Sequence, residues 1–191
     1  MGKNNIYFYR QDDYERFQRN GRIISALRNS IANGFEGFEV YYQPIVDCVS
    51  GRVIGAEALM RYTMVTGDGE EWLSPVEFIP LLEKTGLIIP MGRFLLNEAA
   101  KMCREIQQYI PEFRVNVNIS CYQIEHGKIA DKILTAVRDN GLTPDRICIE
   151  MTESGFMDMT PAFCKFRKVL EENGIQFVID DFGTGYSNLH C

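Results

Sequence analysis

Few of the residues that most readily announce a site occur in this chain. It has two histidines, His126 and His190, and neither stands at zinc-ligand spacing. Its six cysteines, at 48, 103, 121, 148, 164 and 191, include no CxxC pair. Both absences argue against a zinc site and against a disulfide framework, which need clustered ligands or paired thiols. Cys103, Cys148 and Cys164 fall inside apolar patterns, which reads as reduced, buried thiols in a cytosolic protein. No apolar run is long enough to span a bilayer, and no signal-peptide pattern opens the sequence. Positive charge is also short: 20 Lys and Arg stand against 26 Asp and Glu, a net charge of −6. Nucleic-acid polymers want a basic surface, so they are poor partners for this chain. A small phosphate-bearing substrate remains open, because bound divalent cations can reverse the local sign.

What is there is a run of alternating elements, long enough at 191 residues for a full core. Residues 1 to about 20 are polar and aromatic and read as a tail or a linker from a preceding domain. From Gly21 the pattern turns helical, with Ile23, Ile24, Leu27 and Ile31 on one face and Asn33-Gly34 as the stop. This helix is expected to pack across the bottom of the α/β unit that begins after it. Phe38 to Val46 is a strand, and a tight turn at Ser50-Gly51 leads into a second one, Val53 to Met60. Strands joined so tightly must be antiparallel. Alternation puts Gly55, Glu57, Leu59 and Arg61 on one face. Tyr62 to Leu73 reads as a loop. Ser74-Pro75-Val76-Glu77 then has the signature of a helix start, and Gly86 ends that helix. A longer helix runs from about Met91 to Tyr109, with Leu95, Ala99, Met102, Ile106 and Tyr109 as its buried stripe.

Beyond Pro111 the order is strand, helix, strand, helix, strand. The strands are Arg114 to Ile119, Arg146 to Met151 and Ile175 to Asp180. Repeats of this kind imply parallel strands with right-handed crossovers. An open doubly wound sheet would place a ligand over one Gly-rich turn, whereas here polar groups arrive from the ends of four separate strands, which favours a barrel. The expected fold is therefore α/β, a modified TIM (β/α)8 barrel whose first strand is antiparallel. Five strands are countable and a full barrel takes roughly 250 residues, so the chain is expected to be truncated after the fifth strand.

The four strand-end groups are Glu57, Asn118, Glu150 and Asp180. Any one alone is more often a helix cap or the partner of a lysine. Together they offer three carboxylates and an amide oxygen, a donor set for Mg²⁺, Mn²⁺ or Ca²⁺ and not for zinc. Asp181, the next residue, could reach a second ion. Two adjacent ions would clamp the attacking and leaving oxygens of a phosphodiester and supply hydroxide near neutral pH.

Those positions also carry a family pattern. The sequence resembles the EAL family of cyclic di-GMP phosphodiesterases in Gln43-Pro44-Ile45, in Glu57-Ala58-Leu59 with Arg61, and in Asn118-Ile119-Ser120. It does so again in Glu150-Met151-Thr152-Glu153 and in Asp180 to Ser187, DDFGTGYS; Ser74 to Pro80 fits as well. The match runs in order from about Phe38 to Leu189, leaving residues 1–20 as the linker and 21–191 as a partial EAL barrel.

The resemblance implies metal ligation by Glu57, Asn118, Glu150 and Asp180, with Asp181 serving the second of two Mg²⁺ or Mn²⁺ ions. Gln43, Leu59 and Arg61 would contact cyclic di-GMP, and Glu153 would brace the loop after Asp181. It implies hydrolysis of cyclic di-GMP to the linear dinucleotide pGpG in bacterial signalling, in the cytoplasm, whether or not the parent is tethered to a membrane. A GGDEF or sensor domain often precedes such a domain. The family's later Lys, Glu and Gln have no counterpart here, so the chain itself is expected to hydrolyse little or nothing. The alternative is a non-catalytic receptor that binds the dinucleotide. Open sheet edges are expected to drive association into a homo-oligomer or a swapped dimer.

Overall fold

Alternation along each strand decides the architecture. In the strand Val53–Thr66 (β2), Ala56, Ala58, Met60, Tyr62 and Met64 are buried, while Glu57, Leu59, Arg61 and Thr63 between them are only partly so. Arg114–Asn118 (β4) repeats the pattern with Val115 and Val117, and Ile147–Thr152 (β5) with Ile147 and Ile149. Every second residue thus feeds one apolar layer, and the polar set is left on the opposite face. The computed structural model describes residues 11–67, 69–152 and 160–180.

Among the described residues six strands form one mixed sheet in the order β1-β2-β4-β5-β6, with Gly69–Leu73 (β3) pairing on β2. Phe38–Val46 (β1) runs antiparallel to β2. From β2 onward the ladder through β4, β5 and Gln176–Asp180 (β6) is parallel. This is the α/β sheet with an antiparallel opening strand that the sequence predicts. The strand count differs, because β2 continues to Thr66 and folds back as β3, where a loop is expected from Tyr62 to Leu73. The glycines and acidic residues of that stretch hide a short hairpin that lies largely in solvent.

The helices pack against the apolar face. Pro75–Thr85 (α2) starts at Ser74 and ends at Gly86, whose φ of 73° is the left-handed conformation that glycine adopts without strain. Ile88–Ile106 (α3) buries Met91, Leu95, Leu96, Ala99 and Cys103. It stops at Ile106, short of Tyr109, which is 82% exposed and so does not belong to the buried stripe. Cys121–His126 (α4) is a single short helix that the periodicity does not reveal. Ile129–Asp139 (α5) and Pro161–Glu172 (α6) contribute Ile133, Val137, Phe163, Phe166 and Leu170. Among the cysteines, Cys103 and Cys148 are buried as expected, but Cys164 lies on the solvent side of α6 and is exposed.

The first helix departs furthest from expectation. It runs Gln11–Ala32 (α1), beginning ten residues before Gly21 and including half of the stretch read as linker. Only Ile23 and Leu27 on it are buried. Its outer half is held by charge: Arg19 reaches Glu71 of β3 at 2.7 Å and Glu77 of α2 at 3.1 Å. Ser30 and the Tyr62 hydroxyl share a hydrogen bond of 2.9 Å. These partners lie at the carboxyl end of β2, so α1 packs beside the upper part of the sheet and not across its bottom. No helix among the described residues is long and apolar enough to cross a membrane.

Candidate functional site

The polar face acquires its site through the stagger of the strands. In the ladder Glu57 pairs with Asn116, Asn118 with Glu150, and Thr152 with Asp180. Each acidic or amide residue therefore sits the same number of positions along as its neighbour, or two further. In a barrel the strands tilt, and such a stagger brings successive strand ends to one rim. One carboxylate oxygen from each of Glu57, Glu150 and Asp180 lies within 4.8 Å of the other two. All three side chains are partly buried.

Two asparagines hold the cluster open. Asn118 Nδ2 donates to Glu57 Oε1 at 2.6 Å. Asn116 Nδ2 donates to Glu150 Oε1 at 2.6 Å, while Asn116 Oδ1 is buried with no hydrogen-bond partner among the described residues. Asn116 is not among the strand-end groups that the sequence singles out; its clamp on Glu150 emerges from the pairing of β4 with β5. Burial pushes the Glu150 carboxyl above its ordinary range; the Asn116 hydrogen bond opposes that, and the Glu57 and Asp180 charges add to it. Three converging carboxylates with no Lys or Arg paired to Glu57 or Glu150 among the described residues form a centre that a hard divalent cation would relieve. The all-oxygen donor set fits that group and fits zinc poorly.

The remaining predicted positions share the same face. Gln43 pairs with Glu57 across the β1–β2 ladder, and Leu59 pairs with Tyr41. Arg61 sits two residues above Leu59, its Nη1 donating to the Met60 carbonyl at 2.9 Å and its guanidinium 5.5 Å from the centre of the Tyr41 ring. A cavity of about 270 Å³ opens beside it, lined by Leu59, Arg61 and Asn118 of the sheet, by Ser120 at the start of α4 and by Ile79 and Glu83 of α2. Asp181 and Glu153, like the Gly183-Thr184-Gly185 turn and Ser187, lie outside the described residues.

One supporting residue has no sequence signal beyond its type. Gln123 is 2% exposed, and its Oε1 accepts the Ser120 backbone N–H at 3.0 Å, fixing the turn that follows Asn118. A Cβ on Gly92 would stand 1.7 Å from Gln123 Nε2, so α3 comes this close to the turn only because residue 92 has no side chain. A buried glutamine next to a helical glycine could have been suspected only with the register of α3 against α4 in hand.

A staggered mixed sheet, helices on one face and an acidic rim on the other define a protein of the α/β TIM-barrel type. The chain belongs to the EAL domain family, whose pattern matches residues 24–191. It is 31% identical over 193 residues to MucR of Pseudomonas aeruginosa, a bifunctional diguanylate cyclase/cyclic di-GMP phosphodiesterase, covering 99% of this chain and 27% of that protein. It is 34% identical over 175 residues to PdeG of Escherichia coli K12, a probable cyclic di-GMP phosphodiesterase, covering 91% of this chain and 33% of that one. The solved phosphodiesterase of PaMucR in complex with c-di-GMP superposes with a TM-score of 0.76 at 33% identity, over 87% of this chain and 66% of that one. The chain thus spans about a quarter to a third of the length of these curated relatives.

Proposed function

We propose that this chain supplies the metal-binding and dinucleotide-binding portion of a cyclic di-GMP phosphodiesterase. The observation that carries this reading is the convergence of Glu57, Glu150 and Asp180 within 4.8 Å, on the sheet face that also presents Arg61. Glu57, Asn118, Glu150 and Asp180 would hold Mg²⁺ or Mn²⁺, with Asp181 reaching a second ion and Glu153 bracing its loop. When bound, such ions supply an activated water and neutralise phosphoryl charge. The chain's own residues bind and orient. Arg61 offers a permanent charge and forked donors to a phosphate oxygen. Gln43 and Leu59 contact the dinucleotide from the same face. Asn118 and Asn116 keep two of the carboxylates in place through their hydrogen bonds to Glu57 and Glu150.

This reading has the hydrolysis of cyclic di-GMP to pGpG carried out in the cytoplasm by a longer protein, with GGDEF or sensor segments as natural neighbours. The later Lys, Glu and Gln that the resemblance calls for are not among these 191 residues, so the chain alone is expected to bind better than it hydrolyses. Among the described residues β1 and β6 stand at the two ends of the strand order, and association with a second copy is the expected solution behaviour. A monomer in light scattering at high concentration would remove that part.

Calorimetric titration tests the core of the reading. Mn²⁺ should bind the chain, and cyclic di-GMP should bind more tightly with the metal than without it. Glu57→Ala and Glu150→Ala should abolish metal binding while leaving the fold intact by circular dichroism. Metal binding unchanged in both variants would sink the proposal; metal-independent dinucleotide binding would favour a receptor.

A further inference from the structure

The aromatic residues beside Arg61 are not accounted for by the core or by the metal centre. Tyr41 is 55% exposed and Trp72 is 59% exposed. Single exposed aromatics are ordinary; these two are related by the ladder. Tyr62 pairs with Phe38 of β1 and also with Leu73 of β3, so β1 and β3 flank β2 on opposite sides. Tyr41 pairs with Leu59, and Trp72 pairs with Thr63. Arg61 lies between Leu59 and Thr63 on the same face. It is thus the diagonal neighbour of both rings, at a separation of roughly 7–8 Å that long and aromatic side chains bridge.

The behaviour of the guanidinium is the second observation. Glu39 is directly opposite Arg61 in the ladder, yet the two form no ion pair, and Arg61 has no carboxylate partner among the described residues. It turns to the Tyr41 ring and to the Met60 carbonyl. An arginine kept from its nearest acid, with one aromatic face against it and a second within reach, suits a ligand that brings both negative charge and flat π-surface.

We propose that Tyr41 and Trp72 are stacking faces for the purine bases of the ligand, one on each side of Arg61, which takes the phosphate between them. The inference rests on the reading that this face receives a cyclic purine dinucleotide, and it adds two contact residues that lie outside the Gln43-Pro44-Ile45 and Glu57-Ala58-Leu59 motifs. Stacking tolerates sequence because every base has a π-face, so these residues would set affinity, while the edges of the bases are read elsewhere, for instance from the cavity at Glu83.

The chain contains a single tryptophan, so emission excited at the red edge, where tyrosine does not absorb, reports on Trp72 alone. Cyclic di-GMP titrated into the chain with Mn²⁺ should change that emission in step with calorimetric saturation. Ribose 5-phosphate, which has no base, should leave it unchanged. Tyr41→Leu and Trp72→Leu should each weaken dinucleotide binding roughly 5- to 150-fold, with unchanged Mn²⁺ affinity and melting temperature; Tyr41→Phe should restore most of the loss. Dinucleotide binding within about twofold of the parent in both leucine variants, with a silent tryptophan, overturns the inference and leaves the metal-site reading standing. No dinucleotide binding by the parent chain overturns both. An emission maximum that shifts with protein concentration without ligand assigns the face to contact between copies, and that also overturns it.

Discussion

The two faces of β2 are built from alternating residues of one strand, and they obey different rules. On one, Ala56, Ala58, Met60, Tyr62 and Met64 are packed under the helices; on the other, Glu57, Leu59, Arg61 and Thr63 are partly open. The first face gains from every apolar contact. The second gathers like charge with Glu150 and Asp180, and among the described residues no carboxylate pairs with Arg61. A fold stabilised on one side of its sheet can carry an electrostatically unfavourable arrangement on the other, and functional sites are where such local conflicts are tolerated.

Substitutions should separate the faces. Tyr62→Ala removes a ring stacked 4.3 Å from Phe38 and edge-on to Phe78, together with the hydrogen bond to Ser30. It should cost about 3–5 kcal/mol by urea denaturation, whereas Thr63→Ala, its neighbour on the opposite face, should cost less than about 0.5 kcal/mol. Equal losses would mean that the faces are not mechanically distinct.

Gly92→Ala attacks the link between them. The new methyl displaces the Gln123 amide and with it the bond that fixes the turn after Asn118. A loss of about 1–3 kcal/mol is expected, with weaker Mn²⁺ binding in calorimetry. A variant as stable as the parent would show that Gln123 has room to move.

Glu150→Gln should move stability the other way. A carboxyl whose folded pKa is raised holds its proton more tightly in the native chain than in the unfolded one. It therefore lowers stability as pH climbs from the ordinary carboxylate range through the raised value. The glutamine variant, without metal, should be more stable than the parent at neutral pH by up to about 1 kcal/mol, or a few degrees in melting temperature. The difference should vanish as pH falls to the ordinary carboxylate range. Mn²⁺ should raise the melting point of the parent and not of the variant. A variant that melts lower at pH 7 without metal would reverse the electrostatic account.

The smallest effects concern the periphery. Arg19→Ala loses two ion pairs whose side chains are about 40% exposed, so less than about 1 kcal/mol should be lost, and the effect should fade in salt. Alkylation with subsequent mass mapping should label exposed Cys48 and Cys164 quickly at pH 7. Cys103 and Cys148, whose thiols burial pushes up to about 11, should stay unmodified until the chain unfolds.

Much of this was legible in the residues themselves. A period of two along β2, β4 and β5 fixes which side chains share a face, because successive side chains must point oppositely. That rule put Glu57 with Arg61 and Asn116 with Asn118, and set Glu150 opposite Ile149 and Met151. Hidden from it were the β3 hairpin, whose acidic and glycine residues resemble a loop, and the outer half of α1, whose polar surface shows no apolar stripe. Tyr109 misled because apolar spacing continues past Ile106, where α3 ends, and Cys164 because it stands beside the buried Phe163-Phe166-Leu170 stripe of α6 and not on it.

By itself, then, the sequence determined the order of the parallel strands, the antiparallel opening and the identity of the polar set, since these come from local periodicity and chain connectivity. Tertiary structure alone decided that Asn116 would clamp Glu150, that Gly92 would admit Gln123, and that Tyr41 and Trp72 would flank one guanidinium. Each of those depends on which residues of different strands and helices stand opposite each other, and register is a property of the packed sheet and not of any single segment.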